Sequence, residues 1–375
     1  MSTDVTSAAE PAGGATDAIL GADEAVKLVD DHAQRIFLWR YDRERPQLVT
    51  LYEKAMSSQW SSVTELDWST EVDPTELVDL DSGFLRLVAA ARDVDGSPIA
   101  SWGEAELRAL GVESLKAQLS QFMHGEQGAM MTAAKIVETV PWMDARYYAA
   151  TQTMDEARHT EVFARYLHEK LGEAYPMSPF LEEQVTTLLE DPRWDIAYLG
   201  MQIVIESLAL AAFGDLLRRT DEPLLRKLLR YVLADEARHV AFGVLSLSEL
   251  YAGLTEAELR DRQEFLLDAT LNSRARSTTP EVWERVGVKV ADIQPVLIEA
   301  ATKHQINPFA GFARGFFSKL VPNVRKLGLL DANDGLLRQA WGKAGLLEYE
   351  FADDTASDWT SYDAVAADRA AAAAS

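Results

Sequence analysis

The chain has 375 residues, a formal net charge of −24 and no cysteine. Acidity on this scale argues against nucleic acid or a membrane surface as a partner. The lack of thiols excludes disulfides, thiolate-bound zinc and cysteine-held iron–sulfur clusters, so a bound metal must rest on Asp, Glu and His.

Residues 1–21 are rich in Ala, Gly and Thr and read as a disordered tail. They have neither the basic start nor the apolar stretch of a signal peptide. No run of 18 apolar residues suggests a membrane span, and a cytoplasmic location fits the composition. Residues 22–351 read as one domain of all-α class, and 352–375, Asp-rich and then Ala-rich, as a second disordered tail.

Within the domain the spacing predicts a four-helix bundle over about 104–253, with additional N- and C-terminal helices. The first bundle helix has an apolar stripe through Leu115, Leu119, Phe122, Glu126, Ala129, Ala133 and Ile136. A turn is expected at Pro141, since proline suits the first turn of a helix. The second stripe runs through Ala149, Gln152, Glu156, His159, Phe163 and Tyr166, and should stop near Leu171-Gly172. A long connection from Ala174 to Asp191 then holds a short helix, Leu181 to Glu190. The third stripe is Leu199, Ile203, Glu206, Leu210, Phe213 and Leu217. Thr220-Asp221-Glu222-Pro223 reads as a cap and a new start. The fourth stripe is Leu225, Leu229, Val232, Glu236, His239 and Gly243. Residues 255–350 read as further helices, with a start at Thr279-Pro280-Glu281.

One pentapeptide occurs twice, as Asp155-Glu156-Ala157-Arg158-His159 and as Asp235-Glu236-Ala237-Arg238-His239, 80 residues apart. Glu126 precedes Glu156 by 30 residues, and Glu206 precedes Glu236 by the same distance. If each pair meets at one height on antiparallel helices, the turns fall at 141 and 221, where turn residues stand. The four carboxylates occupy core positions, where an uncompensated charge costs several kcal/mol. A pair of cations would remove that cost. Two helices giving one Glu each and two giving Glu-x-x-His make a two-metal carboxylate site. Glu126 and His159 are expected on one ion and Glu206 and His239 on the other, with Glu156 bridging and Glu236 bridging or binding the second. Oxygen and imidazole ligands suit iron, with manganese as the alternative. Asp155 and Asp235 are expected to orient the histidine of the opposite pair, and Arg158 and Arg238 to pair with those aspartates. Phe122, Gln152, Phe163, Leu210 and Gly243, each one turn from a ligand, are candidate substrate contacts. Gly243 is expected to leave room.

These motifs resemble the ferritin-like diiron oxidase and oxygenase superfamily. Asp-Glu-x-Arg-His is similar to the hydroxylase subunits of bacterial multicomponent monooxygenases. Leu51-Tyr52-Glu53-Lys54-Ala55, Gln59-Trp60 and Leu66-Asp67-Trp68 look like the entry region of ribonucleotide-reductase-small-subunit-like proteins. Three positions depart from those families. Phe163 stands where reductase subunits carry a radical tyrosine, Val232 where arylamine N-oxygenases add a histidine, and Leu210 where hydroxylases place a threonine. The resemblance implies a homodimeric oxidoreductase of monooxygenase type. It would use O₂ to oxidise a small apolar or aromatic substrate, with electrons from an external reductase or ferredoxin. A ferroxidase and a dimanganese catalase-like enzyme are the alternatives.

Overall fold

The computed structural model describes residues 35–271 and 280–374. Among them there are helices, turns and loops and no strand. The first predicted tail lies outside the described residues.

Helix α1 (Pro46–Ser57) and helix α2 (Gly83–Ala91) precede the bundle. Helices α3 (Glu104–Thr139) and α4 (Met143–Tyr166) form its first hairpin. Val140 and Trp142 are extended on either side of Pro141, so the break comes where the spacing requires it. A π-helical turn, Leu167–Leu171, ends α4 against Gly172, whose φ of 88° is the left-handed stop expected there. The crossover carries α5 (Pro179–Glu190), with Ser178 as its N-cap.

The second hairpin pairs α6 (Trp194–Arg219) with α7 (Pro223–Tyr251). Glu222 caps α7, its carboxylate accepting from the Leu224 and Leu225 amides at 2.9 and 2.6 Å. Helix α6 is long and apolar enough to cross a membrane by length and composition, and 83% of its most apolar window is buried inside the fold. It is the core helix of the bundle.

The remaining elements wrap this core: α8 (Glu256–Leu271), α9 (Pro280–Arg285), α10 (Val290–His304), α11 (Ala310–Lys326) and α12 (Ala332–Lys343). Phe316 and Phe317 of α11 are buried in the core cluster that includes Ala211 of α6.

The C-terminal stretch differs from its predicted disorder. It forms α13 (Thr355–Asp358), a 3₁₀ turn over Trp359–Tyr362, and α14 (Ala364–Ala374). Alanine has the highest helix propensity, so a run that looks featureless is a ready helix once something anchors it. Val365 is fully buried, Asp363 pairs with Lys54, and Asp368 accepts from Arg230 at 2.9 Å. Arg369 also donates to the Gln59 carbonyl at 2.6 Å, clasping the strap to the loop after α1.

Candidate metal centre

Residues three apart on an α-helix share a face, so each Glu-x-x-His pair points into the bundle. The two hairpins then bring six side chains together in two overlapping quartets. Glu126, Glu156, His159 and Glu236 each place a ligand atom within 4.8 Å of the others, and so do Glu156, Glu206, Glu236 and His239. Glu156 and Glu236 belong to both quartets. Glu126 is the most exposed of the six at 5%.

Both imidazoles turn Nδ1 inward. His159 Nδ1 lies 3.1 Å from Glu236 Oε1 and 3.3 Å from Glu156 Oε2. His239 Nδ1 lies 2.9 Å from Glu236 Oε2 and 3.1 Å from Glu156 Oε1. The outer nitrogens meet the aspartates in the crossed sense read from the sequence. His159 Nε2 is 3.0 Å from Asp235 Oδ2, and His239 Nε2 is 3.5 Å from Asp155 Oδ2. Such a contact fixes the tautomer and leaves the inner nitrogen free as a donor to a cation.

Both arginines of the repeat join this layer. Arg158 donates to Asp235 at 3.0 Å and also to Asp155, and Arg238 pairs with Asp235. Two residues from outside the bundle complete it. Trp60 Nε1 donates to Asp235 Oδ2 at 2.8 Å, and Gln59 Nε2 donates to Asp155 Oδ1 at 2.8 Å. The Arg158 guanidinium lies 4.6 Å from the Trp60 ring centre.

Electrostatics shows what the centre lacks. Burial pushes the Glu126 and Glu206 carboxyls well above the usual range, and the Glu236 charge adds to the effect. Burial pushes Glu156 up as well, yet the two histidines beside it, His239 foremost, hold it well below that range. Burial acts against charging of His159, but its bonds to Asp235 and the glutamates raise it far above an ordinary imidazole. Glu156 Oε2 and Glu236 Oε1 are buried and face His159 Nδ1, at 3.3 and 3.1 Å, without a well-formed hydrogen bond. Buried carboxylate oxygens of this kind are costly unless a cation meets them. The charge count agrees. Arg158 and Arg238 balance Asp155 and Asp235, which leaves four glutamates for two divalent cations. The residues therefore fit a pair of metal ions.

Of the candidate substrate contacts, two have other work. Gln152 Nε2 donates to Glu156 Oε1 at 2.9 Å and to Glu206 Oε1 at 3.1 Å, so it steadies carboxylates rather than facing open space. Gly243 leaves no room: an added Cβ would stand 2.4 Å from Gln202 Cβ. It permits the close approach of a seven-residue π-helical turn in α6, Leu199–Ile205. The Glu206 amide donates to the Met201 carbonyl five residues back, so the wide turn ends on the ligand itself. Phe122 and Phe163 pack with Phe213, their centroids 4.6 and 5.5 Å from it. Leu210 lies in the same apolar cluster and borders a surface cavity.

Gln202 escaped the sequence reading. Its amide pairs reciprocally with that of Gln152, at 2.9 and 3.1 Å. A signal existed, because Gln152 and Gln202 each stand four residues before a glutamate of the set. His124 points away from the centre, its Nε2 3.0 Å from the Tyr175 carbonyl.

No protein-family model and no curated protein matches the sequence. Similar solved structures include a mutant R2-like ligand-binding oxidase with an anaerobically reconstituted Mn/Fe cofactor. It has a TM-score of 0.45 and 15% identity, over 76% of this chain and 93% of that one. An R2-like ligand-binding oxidase with an aerobically reconstituted metal cofactor after photoconversion has a TM-score of 0.42 and 16% identity, over 83% of this chain and 94% of that one.

Proposed function

We propose that the buried centre holds two redox-active ions, two irons or iron with manganese, and that the protein is an O₂-using oxidoreductase of monooxygenase type. The observation that carries this reading is the pair of buried carboxylate oxygens, on Glu156 and Glu236, that face His159 Nδ1 without a well-formed hydrogen bond inside two overlapping quartets of ligand atoms. Bound ions would supply the reduction of O₂, chemistry that no protein side chain performs. The chain's own residues do the rest. Asp155 and Asp235 hold the imidazoles in one tautomer, the Gln152–Gln202 pair fixes the orientation of Glu156 and Glu206, and the apolar shell excludes water. An organic substrate and an external electron donor complete the reading, since this cysteine-free chain has no cluster of its own to deliver electrons.

Reconstitution with Fe(II), alone and with Mn(II), tests it, with metal content and O₂ uptake followed together. The expected result is two metals per chain and O₂ uptake that continues only while reductant is supplied, faster when a small aromatic or aliphatic substrate is present. Uptake that stops once the Fe(II) is oxidised would make the protein a ferroxidase. Breakdown of hydrogen peroxide by a dimanganese form without reductant would make it a catalase.

A further inference from the structure

The strap formed by the C-terminal residues closes one side of a cavity against α6, α7 and α11. The cavity holds about 540 Å³. Its floor is apolar and belongs to the bundle: Leu210 and Leu217 of α6 and Leu233 of α7. Leu210 lies one turn beyond Glu206, and Leu233 one turn before Glu236, so the floor is built from the same helix segments that carry these two glutamates.

The rim has the opposite character. Arg218, Arg230 and Lys319 line it, with Asp363 the one carboxylate among the described lining residues. Asp363 is engaged elsewhere, with Lys54. Three cations around one mouth stand out in a chain with a net charge of −24. Two of them are partly occupied: Arg218 reaches Asp215 at 3.2 Å and Arg230 reaches Asp368 at 2.9 Å. Lys319 is different. Its ammonium donates to the Tyr362 hydroxyl at 3.1 Å, a neutral partner, and it is half-buried beside the cavity. A half-buried ammonium with a neutral partner still has charge to offer an anion.

We propose that this cavity binds an amphipathic organic monoanion, its charged end on Lys319 at the rim and its apolar end on Leu210. Calling that ligand the substrate rests on the oxygenase reading above, because the apolar end is the part turned toward the centre. The binding itself does not depend on metal. Cations at a mouth over an apolar floor select against neutral and cationic analogues of the same shape.

Gly214 provides a test that does not weaken the fold. It lies in α6 on the cavity wall, and an added Cβ would meet only the tip of Arg218, at 3.6 Å. Replacing a helical glycine also favours the helix. Gly214→Leu should therefore fill the cavity and leave the melting temperature unchanged or higher. The experiment is calorimetric titration of the metal-free full-length protein with hydrocinnamate and decanoate, against hydrocinnamyl alcohol and decanol. The acids should bind at least about tenfold more tightly than their alcohols, the difference a charge-assisted bond supplies. Lys319→Glu should remove that preference, and Gly214→Leu should abolish binding of both. Equal affinity for acid and alcohol, or binding that survives in folded Gly214→Leu, overturns the assignment. If the acids bind as described but the metal-loaded protein never oxidises them, the cavity stands and the oxygenase reading fails. If they do not bind while O₂ uptake still needs reductant, the centre stands and the cavity assignment falls.

Discussion

The two halves of the centre start from one pentapeptide and end in different surroundings. Asp235 is shared by His159, Arg158, Arg238 and Trp60. Asp155 meets His239 only at 3.5 Å and is otherwise held by Arg158, which it shares with Asp235, and by the amide of Gln59. The helices differ too. Glu126 sits within a continuous α-helix, whereas Glu206 follows directly on a π-helical turn. The repeat sets which atoms converge, and the chain outside the repeat decides how firmly each half is held. The His159 half should be the stiffer one.

The largest expected effect tests the shared ligands. Glu156→Ala should leave at most one metal per chain by elemental analysis, whereas Glu126→Ala, in only one quartet, should spare the His239 position. Full metal content in Glu156→Ala would remove the basis for both quartets.

The aspartates test the asymmetry directly. Asp235→Asn should weaken metal binding by about 10- to 100-fold in competition with a chelator. Asp155→Asn should have a smaller effect, because its histidine contact is already long. Equal losses would mean that the extra partners of Asp235 add nothing.

A smaller effect is expected at the wide turn. Gly243→Ala drives a methyl group into Gln202 and should cost about 1–3 kcal/mol in denaturant unfolding. The loss should appear mainly at the Glu206 position, measured as weaker binding of the second metal. Smallest is Trp60→Phe, which keeps an aromatic ring, though a smaller one, and removes one buried hydrogen bond, itself worth about 1 kcal/mol. It should perturb the His159 resonances of the metal-free protein and leave those of His239 in place.

Much of this centre was legible from spacing alone. The helix period places Glu and His of each pair on one face, and the midpoints at Pro141 and Asp221 mark the hairpins without any tertiary information. The crossed aspartates followed from the geometry of a pseudo-twofold pair. The π-helical turn was not legible, because the stripe Leu199, Ile203, Glu206 looks the same whether or not one residue bulges from it. Gly243 misled for the same reason: a missing side chain signals close approach as readily as open space, and only the neighbouring helix distinguishes the two. Gln59 and Trp60 lie 96 and 175 residues from the aspartates they hold, and no local pattern carries such a pairing. The C-terminal strap was hidden by its composition, since one buried valine among alanines gives almost no periodicity.

The strap also ties the centre to a distant part of the chain. All six ligands stand on the two hairpins, whereas Arg369, which grips the carbonyl of Gln59, stands far along the chain from them. The loop that carries Gln59 and Trp60 onto the aspartates is held from two sides, by Arg158 within the bundle and by Arg369 of the strap. A change at Arg369 would therefore reach the aspartates through Gln59, 310 residues away along the chain.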